Sequence, residues 1–335
     1  MLNLILRTIK RSSRSRLSMM ARQMYLRMKI PMDFPIIINV DPTNACNLLC
    51  TMCPNSQPPS VKKRFLDMDL YEKIVSEISA RKKRIYRFFL VKDGEPLLHK
   101  NIIDMVALAK EKNISQIVTV VTNGVLLDSR KSRAFIECGL DDIGISLDAA
   151  SRETYLKTKG RDSYDAVVDN ILHLQEMKKS MRKKRPVVRL KFVETPENTQ
   201  EKQAFIKKWK GKVEKLEINP LHDWAGSMRL DQTGELKQKS ERYPCSLLWY
   251  TMVINCDGSV SLCCIDYGWK TVVGNVREKS LSDVWNSREM EEVRMRHVRG
   301  DYDQLPVCNT CTYWKIKENI RDFLKKKYKN QEISE

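Results

Sequence analysis

Three cysteines directly behind an apolar run constrain this chain more than any other feature. Cys46, Cys50 and Cys53 fall in the spacing CxxxCxxC after the run Ile36–Val40. Thiolates bind soft metals and iron–sulfur clusters, and a cubane of four irons normally takes four of them. Three thiolates therefore predict a cluster with one iron open to a reactant, as in a catalytic metal site with a free position. A structural zinc site, or three incidental cysteines, is the alternative.

Short β-branched runs alternate with amphipathic segments from Phe34 onward. Between the runs, apolar residues such as Leu70, Ile74 and Ile78 recur at helical spacing. This alternation predicts an α/β fold of parallel strands joined by right-handed crossovers. A complete barrel of this kind has eight strands, two more than are found here. The six predicted strands are Ile36–Val40, Ile85–Val91, Ile117–Thr122, Asp142–Leu147, Val187–Val193 and Val213–Asn219.

The cysteine motif and the segments behind it resemble the radical SAM superfamily. The resemblance implies a partial (β/α)6 TIM-like barrel in which Cys46, Cys50 and Cys53 hold a 4Fe–4S cluster. Its open iron would chelate S-adenosylmethionine (SAM), and the reduced cluster would cleave SAM to a 5′-deoxyadenosyl radical. An electron donor such as flavodoxin or ferredoxin is the implied partner.

Later strand ends resemble the family's SAM contacts in the same order. Gly94 and Glu95 match its GGE motif, with Asp93 in place of the first glycine. Asn123 lies in a Thr-Asn-Gly turn, and Ser146 opens a Ser-Leu-Asp segment whose serine reaches the SAM ribose in the family. In a parallel α/β fold these residues meet at one edge, because function gathers at the carboxyl ends of the strands.

Two further segments carry candidate site residues. Lys159 occupies the arginine position of the family's YxxxRG element, so that contact stays open. After the sixth strand, His222 and Asp223 are candidates for substrate contact or proton transfer, since imidazole and carboxylate can both accept a proton. A turn residue and a helix-capping aspartate are the alternatives for this pair.

A second group of cysteines follows Ser240. A hairpin is predicted from Val253–Asn255 through Asp257-Gly258 to Val260–Leu262. The group resembles the SPASM domain, more closely its short twitch form with one auxiliary 4Fe–4S cluster, although a four-cysteine zinc site has the same spacing. Cys256 and Cys264 are left over, and Cys264 is a candidate proton or hydrogen donor, an alternative ligand, or a buried residue. The four expected ligands are Cys245, Cys263, Cys308 and Cys311.

The net charge of +18, from 60 Lys and Arg against 42 Asp and Glu, is typical of an anionic substrate, nucleic-acid or membrane partner, and a solvated basic face that keeps the protein soluble is the alternative. We expect a basic amphipathic extension (1–33), a radical SAM core (34–235), a SPASM/twitch-like domain (236–315) and a basic tail (316–335). The extension is interpreted as a helix on the protein's own barrel, a peripheral membrane contact or a targeting segment. Free thiols indicate a reducing cytoplasm, with the inner membrane face as the peripheral alternative. No apolar run is long enough to span a membrane.

The sequence thus predicts a radical SAM oxidoreductase of dehydrogenase type. It would oxidise a C–H position of a sugar-like or other small molecule, with the auxiliary cluster as electron acceptor; a lipid-linked saccharide is a further substrate option. Maturation of a ribosomally made peptide is the alternative. A zinc- or cluster-stabilised nucleic-acid-binding protein is less favoured, because few aromatic residues interleave with the basic ones; no nucleic-acid partner is expected.

Overall fold

A single sheet of nine strands forms the frame of the part of the chain that the structure describes. This computed structural model describes residues 32–57, 61–228, 242–317, 319–321, 324 and 328. The predicted N-terminal extension therefore lies almost entirely, and the predicted basic tail for the most part, outside the described residues. The strands are β1 (Ile37–Val40), β2 (Ile85–Leu90), β3 (Ser115–Thr122), β4 (Asp142–Ser146), β5 (Val187–Glu194), β6 (Lys215–Pro220), β7 (Thr251–Ile254), β8 (Ser259–Ser261) and β9 (Val272–Asn275).

The first six strands form the predicted partial barrel. They lie in the order β6-β5-β4-β3-β2-β1, and each neighbouring pair is parallel. The α/β fold class predicted from the sequence is confirmed, with each strand end within a few residues of its predicted position. The described helices are α1 (Met68–Ser79), α2 (Ile102–Glu111), α3 (Ser129–Glu137), α4 (Arg152–Lys159), α5 (Tyr164–Ser180), α6 (Lys202–Trp209), α7 (Leu281–Trp285) and α8 (Arg288–Arg299).

Side chains directly before a helix explain where several of these helices begin. Asp67, Asp128 and Ser151 each accept a hydrogen bond from a backbone N–H in the first turn of α1, α3 and α4. Such caps satisfy donors that have no partner inside the helix. Gly160 ends α4 and Gly300 ends α8 in the left-handed region, where glycine has no steric penalty.

The two faces of the barrel sheet differ in polarity. On β5, Leu190 and Phe192 are fully buried against the helices. Arg189 and Lys191 alternate with them and face the barrel interior beside Gly144, since a Cβ at Gly144 would lie 3.5 Å from each side chain. The interior is therefore charged, and the apolar core lies between sheet and helices.

The C-terminal region continues the same sheet. Strand β7 pairs in parallel with β1, with Ile37 opposite Thr251, and β8 and β9 follow as antiparallel neighbours. The predicted hairpin is present, and Gly258 takes a φ of +92° in its turn. The parallel pairing with β1 was not predicted, because a short strand's partner depends on contacts distant in the sequence. It joins the two cysteine groups through one rigid sheet.

None of the helices in the described ranges combines the length and apolar character needed to cross a membrane.

Candidate active site and auxiliary metal centre

The first cysteine loop is held from two sides by glycines. A Cβ on Gly94 would lie well inside van der Waals contact with the carbonyl oxygens of Thr43 and Ala45. On the other side, a Cβ on Gly160 would lie 2.5 Å from the carbonyl oxygen of Leu49. Only residues without a side chain allow backbones to approach this closely. The loop after β1 is therefore fixed between the end of β2 and the end of α4.

Hydrogen bonds complete this attachment. The backbone N–H of Glu95 donates to Ala45 O at 2.8 Å, and the N–H of Leu49 donates to Lys159 O at 3.1 Å. Cys46 is exposed, whereas Cys50 and Cys53 are half-buried. Burial raises the pKa of the Cys53 thiol to about 12, with the charges of Cys50 and Cys46 acting in the same direction. The three predicted ligands are thus brought together at one strand end.

The Glu95 carboxylate joins the ends of β2 and β3. Its oxygens accept from Leu97 N (3.0 Å), Thr122 Oγ1 (2.6 Å) and Asn123 N (2.7 Å). Burial raises its pKa, and these donors oppose that shift. Asn123 Nδ2 donates to Asn47 Oδ1 at 2.7 Å, inside the cysteine loop. Glu95 and Asn123 therefore shape the edge on which SAM would lie, as well as being predicted contacts.

Ser146 ends β4 half-buried, and its hydroxyl makes no hydrogen bond with the described residues. It is therefore free to contact a ligand. Gly94 and Glu95 on β2, Asn123 on β3 and Ser146 on β4 lie at the carboxyl edge of adjacent parallel strands, where the sequence placed them. Their contacts with SAM stay a prediction.

A buried ion pair lies beside the cysteine loop. Lys159 and Asp148 form it with side chains that are each 3% exposed, and Asp148 Oδ1 also accepts from Val193 N at 2.6 Å. Burial opposes the charged ammonium, but the charges of Asp148 and Cys50 outweigh it, so the pKa of Lys159 is raised. Lys159 stands in the arginine position that the sequence left open. It places a permanent cation near Cys50.

The second cysteine group lines one apolar pocket. Cys245, Cys263, Cys308 and Cys311 share it with aliphatic residues that include Leu262. Burial is the largest cause of a raised pKa for each of these thiols, reaching about 12 for Cys245. A buried thiol becomes a thiolate when a metal binds it, because coordination supplies the missing positive charge. The donor set and the dry surroundings fit an iron–sulfur cluster.

His297 joins two of these cysteines. Its Nδ1 accepts from the backbone N–H of Cys245 at 3.3 Å, so the proton lies on Nε2, which is 3.3 Å from Cys308 Sγ. The histidine is 1% exposed, and burial lowers its pKa to about 3, with Arg242 adding to the shift. A neutral imidazole that donates to a ligand sulfur is a second layer that tunes a metal centre.

Within the described residues, no group of three or more His, Cys, Asp or Glu side chains could hold a single metal ion. In a cubane each thiolate binds a different iron, so the sulfurs stand farther apart than around one zinc.

A strained loop connects the two cysteine groups. Trp224, Ala225 and Gly226 in succession have φ values of 51°, 53° and 74°, a costly conformation for the first two. The indole Nε1 of Trp224 donates to Met52 O at 2.9 Å, next to Cys53. A Cβ on Gly226 would lie 2.9 Å from Thr310 Oγ1, between Cys308 and Cys311.

The predicted catalytic residues lie on or beside this loop. The ring of His222 packs against Trp224 and Tyr313, with centroids 4.7 and 5.2 Å apart. Burial lowers its pKa to about 4, aided by Lys317 and Lys191. Asp223 Oδ1 accepts from Ala225 N at 3.2 Å, which is the turn-capping alternative.

Cys264 packs with Trp224 and Ala225 beside the auxiliary pocket, whose lining includes Cys263 instead. Burial raises the pKa of its thiol. Cys256 is fully buried elsewhere in the core.

Several site residues escaped the sequence reasoning. Asp148, Gly160, Trp224 and His297 act through partners far away in the chain. Asp148 belongs to the same Ser-Leu-Asp segment as Ser146, and Gly160 directly follows Lys159. The motifs that indicated Ser146 and Lys159 therefore also contained the signal for these two residues. Nothing in the spacing of His297 indicates its role.

Comparisons with known proteins agree with this geometry. The family model described as the radical SAM superfamily matches residues 40–187, and that of the SPASM iron–sulfur cluster-binding domain matches residues 245–312. Among curated relatives, GTP 3′,8-cyclase of Chlorobaculum tepidum is 36% identical over 130 residues, covering 39% of this chain and 38% of that protein. Fe-coproporphyrin III synthase of Methanosarcina barkeri is 27% identical over 135 residues, 40% of this chain and 32% of that protein. The chain thus spans well under half the length of these relatives.

Solved structures share the fold over most of the chain. BtrN in complex with AdoMet and 2-DOIA has a TM-score of 0.57 at 18% identity, covering 83% of this chain and 93% of BtrN. Streptococcus suis SuiB bound to precursor peptide SuiA has a TM-score of 0.65 at 16% identity, covering 90% and 75%. The anSMEcpe structure with bound AdoMet gives 0.60 at 17%, covering 88% and 91%. At these identities the likeness is one of fold. The cofactors of this chain are therefore SAM, the 4Fe–4S cluster that binds SAM, and an auxiliary iron–sulfur cluster. By both family matches, the chain belongs to the radical SAM superfamily and carries a C-terminal SPASM domain.

Proposed function

We propose that this enzyme oxidises a C–H position of a small, sugar-like substrate in the space between its two cysteine groups. When bound, SAM and its cluster supply a hydrogen-abstracting radical, and the auxiliary cluster supplies an electron acceptor. A substrate radical that loses one electron and one proton becomes an oxidised product. The protein must therefore place an electron acceptor and a proton acceptor near the same substrate carbon.

The position of Trp224 between the two cysteine groups is the observation that carries this proposal. Its indole donates to Met52 O in the first cysteine loop, and its side chain packs, as those of Cys263 and Cys311 do, against the small cluster of Ala225, Ile265 and Val307. A substrate next to Trp224 would lie within reach of both centres. The strained backbone at this position is of the kind found where structure is held for function.

His222 and Asp223 are the proposed proton acceptors. With a pKa of about 4, His222 is neutral at physiological pH and has a free electron pair on its imidazole. Its Nδ1 receives at most a long contact from Trp224 N, at 3.4 Å. Burial between aromatic rings would exclude water from the radical intermediate.

Anaerobic reconstitution tests the enzyme assignment first. We expect about eight irons per chain, four for each cubane, and release of 5′-deoxyadenosine only when reductant is added. Zinc uptake without SAM cleavage would instead support a non-enzymatic binding protein.

A substrate panel then tests the oxidation itself. Free and phosphorylated sugars and aminocyclitols are incubated with enzyme, SAM and reductant, and the products are analysed by mass spectrometry. We expect a product two mass units lighter than one of these substrates. A product with the substrate's own oxidation state would reject the oxidoreductase proposal, and turnover of a precursor peptide alone would favour maturation.

A further inference from the structure

Three lysine side chains that are buried around the barrel have carboxylate partners. Lys92 pairs with Asp93 at 2.6 Å, Lys159 with Asp148, and Lys178 with Glu214. Such pairing is the rule, because an unpaired ammonium loses its hydration on burial without compensation. Lys191 has no such partner among the described residues.

Lys191 projects from β5 into the barrel interior. Within the described residues its ammonium has no hydrogen-bond or ion-pair partner. The nearby carboxylates of Asp142 and Glu217 form ion pairs with Arg189 instead, at 2.9 Å for Glu217. The side chain is half-buried, so it keeps part of its surface accessible from the barrel mouth. Burial lowers its pKa, and the charges of Glu217, Asp148 and Asp142 offset that shift only in part.

The position of Lys191 points to the substrate space. It is the register partner of Ser146, the predicted ribose contact, on the adjacent parallel strand. The positive charge of Lys191 also acts to lower the pKa of His222 and of the Cys264 thiol, so the ammonium lies near both. The ammonium thus lies between the expected SAM site and the strained loop.

A second cation faces the same space. Lys317 Nζ bonds to Tyr313 Oη at 3.1 Å and lies 4.2 Å from the centroid of that ring, with no carboxylate partner in the described residues. Like Lys191, it is close enough to His222 and Cys264 to affect both. Two ammonium groups therefore lie near enough to the neutral imidazole of His222 to act on it.

We propose that Lys191, assisted by Lys317, binds a phosphate group of the substrate and so positions the reacting carbon between the SAM site and Trp224. An ammonium is a compact point charge that suits phosphate oxygens. This inference deepens the proposed function and rests on it, since it names the anionic class of the same substrate. The charge left unpaired in the free protein is completed by the ligand.

Calorimetric titration with inorganic phosphate tests this site. The reconstituted protein is titrated under anaerobic conditions without reductant, with and without saturating SAM, so that SAM stays intact. We expect phosphate to bind in both conditions, and Lys191→Met to weaken binding about tenfold or more, as for the loss of a charged hydrogen bond. Lys215→Met, which removes an exposed lysine of the neighbouring strand β6, is the matched control and should leave phosphate binding unchanged.

Other outcomes would overturn the inference. Equal phosphate affinity in Lys191→Met, or no binding by the wild-type protein, rejects the site. Displacement of phosphate by SAM assigns Lys191 to the SAM carboxylate instead. The thermal midpoint of Lys191→Met gives an independent readout: an unpaired buried cation that is removed should leave stability unchanged or raised, whereas a loss would indicate a structural role. Reductant-dependent 5′-deoxyadenosine release by the wild-type protein tests the proposed function separately.

Discussion

The two cysteine groups differ in how the protein holds them. The loop of Cys46, Cys50 and Cys53 is fixed mainly through its backbone, pressed against Gly94 and Gly160, and Cys46 is exposed. The auxiliary cysteines line an apolar pocket, in which the N–H of His297 donates to Cys308 Sγ. The first arrangement keeps one side open for a reactant, and the second encloses its metal. An open centre suits SAM chemistry, and an enclosed one suits storage of an electron.

The largest effect is expected when a side chain is added at Gly94, where the first cysteine loop lies closest to the end of β2. Gly94→Ala would push a methyl group into the carbonyls of Thr43 and Ala45 and displace the cysteine loop. We expect SAM cleavage to fall at least about 100-fold, because small misplacements of reacting groups cost that much, while auxiliary iron stays bound. Gly211→Ala is the control for backbone strain without a clash, since a Cβ there meets nothing within 4 Å but the φ of +81° disfavours a side chain; it should lower stability and leave SAM cleavage unchanged. Undiminished SAM cleavage by Gly94→Ala would show that the close approach of residue 94 to the cysteine loop is not required.

The buried ion pair gives the next largest effect. Lys159→Met leaves Asp148 charged and buried, and we expect the free energy of unfolding to fall by about 3–5 kcal/mol in denaturant titration. The double variant with Asp148→Asn should recover much of that loss. An equal loss in the single and double variants would contradict the pairing. Lys191→Met, which breaks no pair, offers the contrast within the same barrel.

The pH dependence of stability tests the enclosure of the connecting loop. The pKa of His222 is lowered to about 4, below the roughly 6.5 of an unfolded histidine. As pH falls from about 6.5 towards 4, the unfolded chain takes up a proton that the folded chain excludes, so the free energy of unfolding decreases. His222→Gln should flatten this slope. An unchanged slope would mean that His222 is solvated.

The smallest effect concerns the auxiliary site alone. His297→Phe removes the N–H donor to Cys308 Sγ, and we expect a more negative reduction potential of the auxiliary cluster, since hydrogen bonds to sulfur stabilise the reduced state. Potentiometric titration followed by electron paramagnetic resonance measures it. Tyr302→Phe, which loses only a 3.3 Å bond to His297 O, serves as control. A shift in the SAM-binding cluster instead would break the separation of the two sites.

Much of the frame was predictable because it depends on local patterns. The six strands follow from apolar runs, and both cysteine groups follow from spacing. The contacts that give each site its character were not predictable, because they join residues distant in the chain: Lys159 O with Leu49, Trp224 with Met52, and His297 with Cys245. The pairing of β7 with β1 belongs to the same class, and it is what places the two centres on one sheet.

Replacement of one auxiliary ligand tests most directly whether the first site cleaves SAM and the auxiliary site accepts the substrate's electron. In Cys308→Ala, iron content and reductant-dependent 5′-deoxyadenosine release are measured together on folded, anaerobically reconstituted protein, with Cys256→Ala as the matched cysteine control. We predict that Cys308→Ala loses up to about four irons, still releases 5′-deoxyadenosine and forms no oxidised product. Complete loss of 5′-deoxyadenosine release from a folded Cys308→Ala protein would contradict separate roles for the two centres.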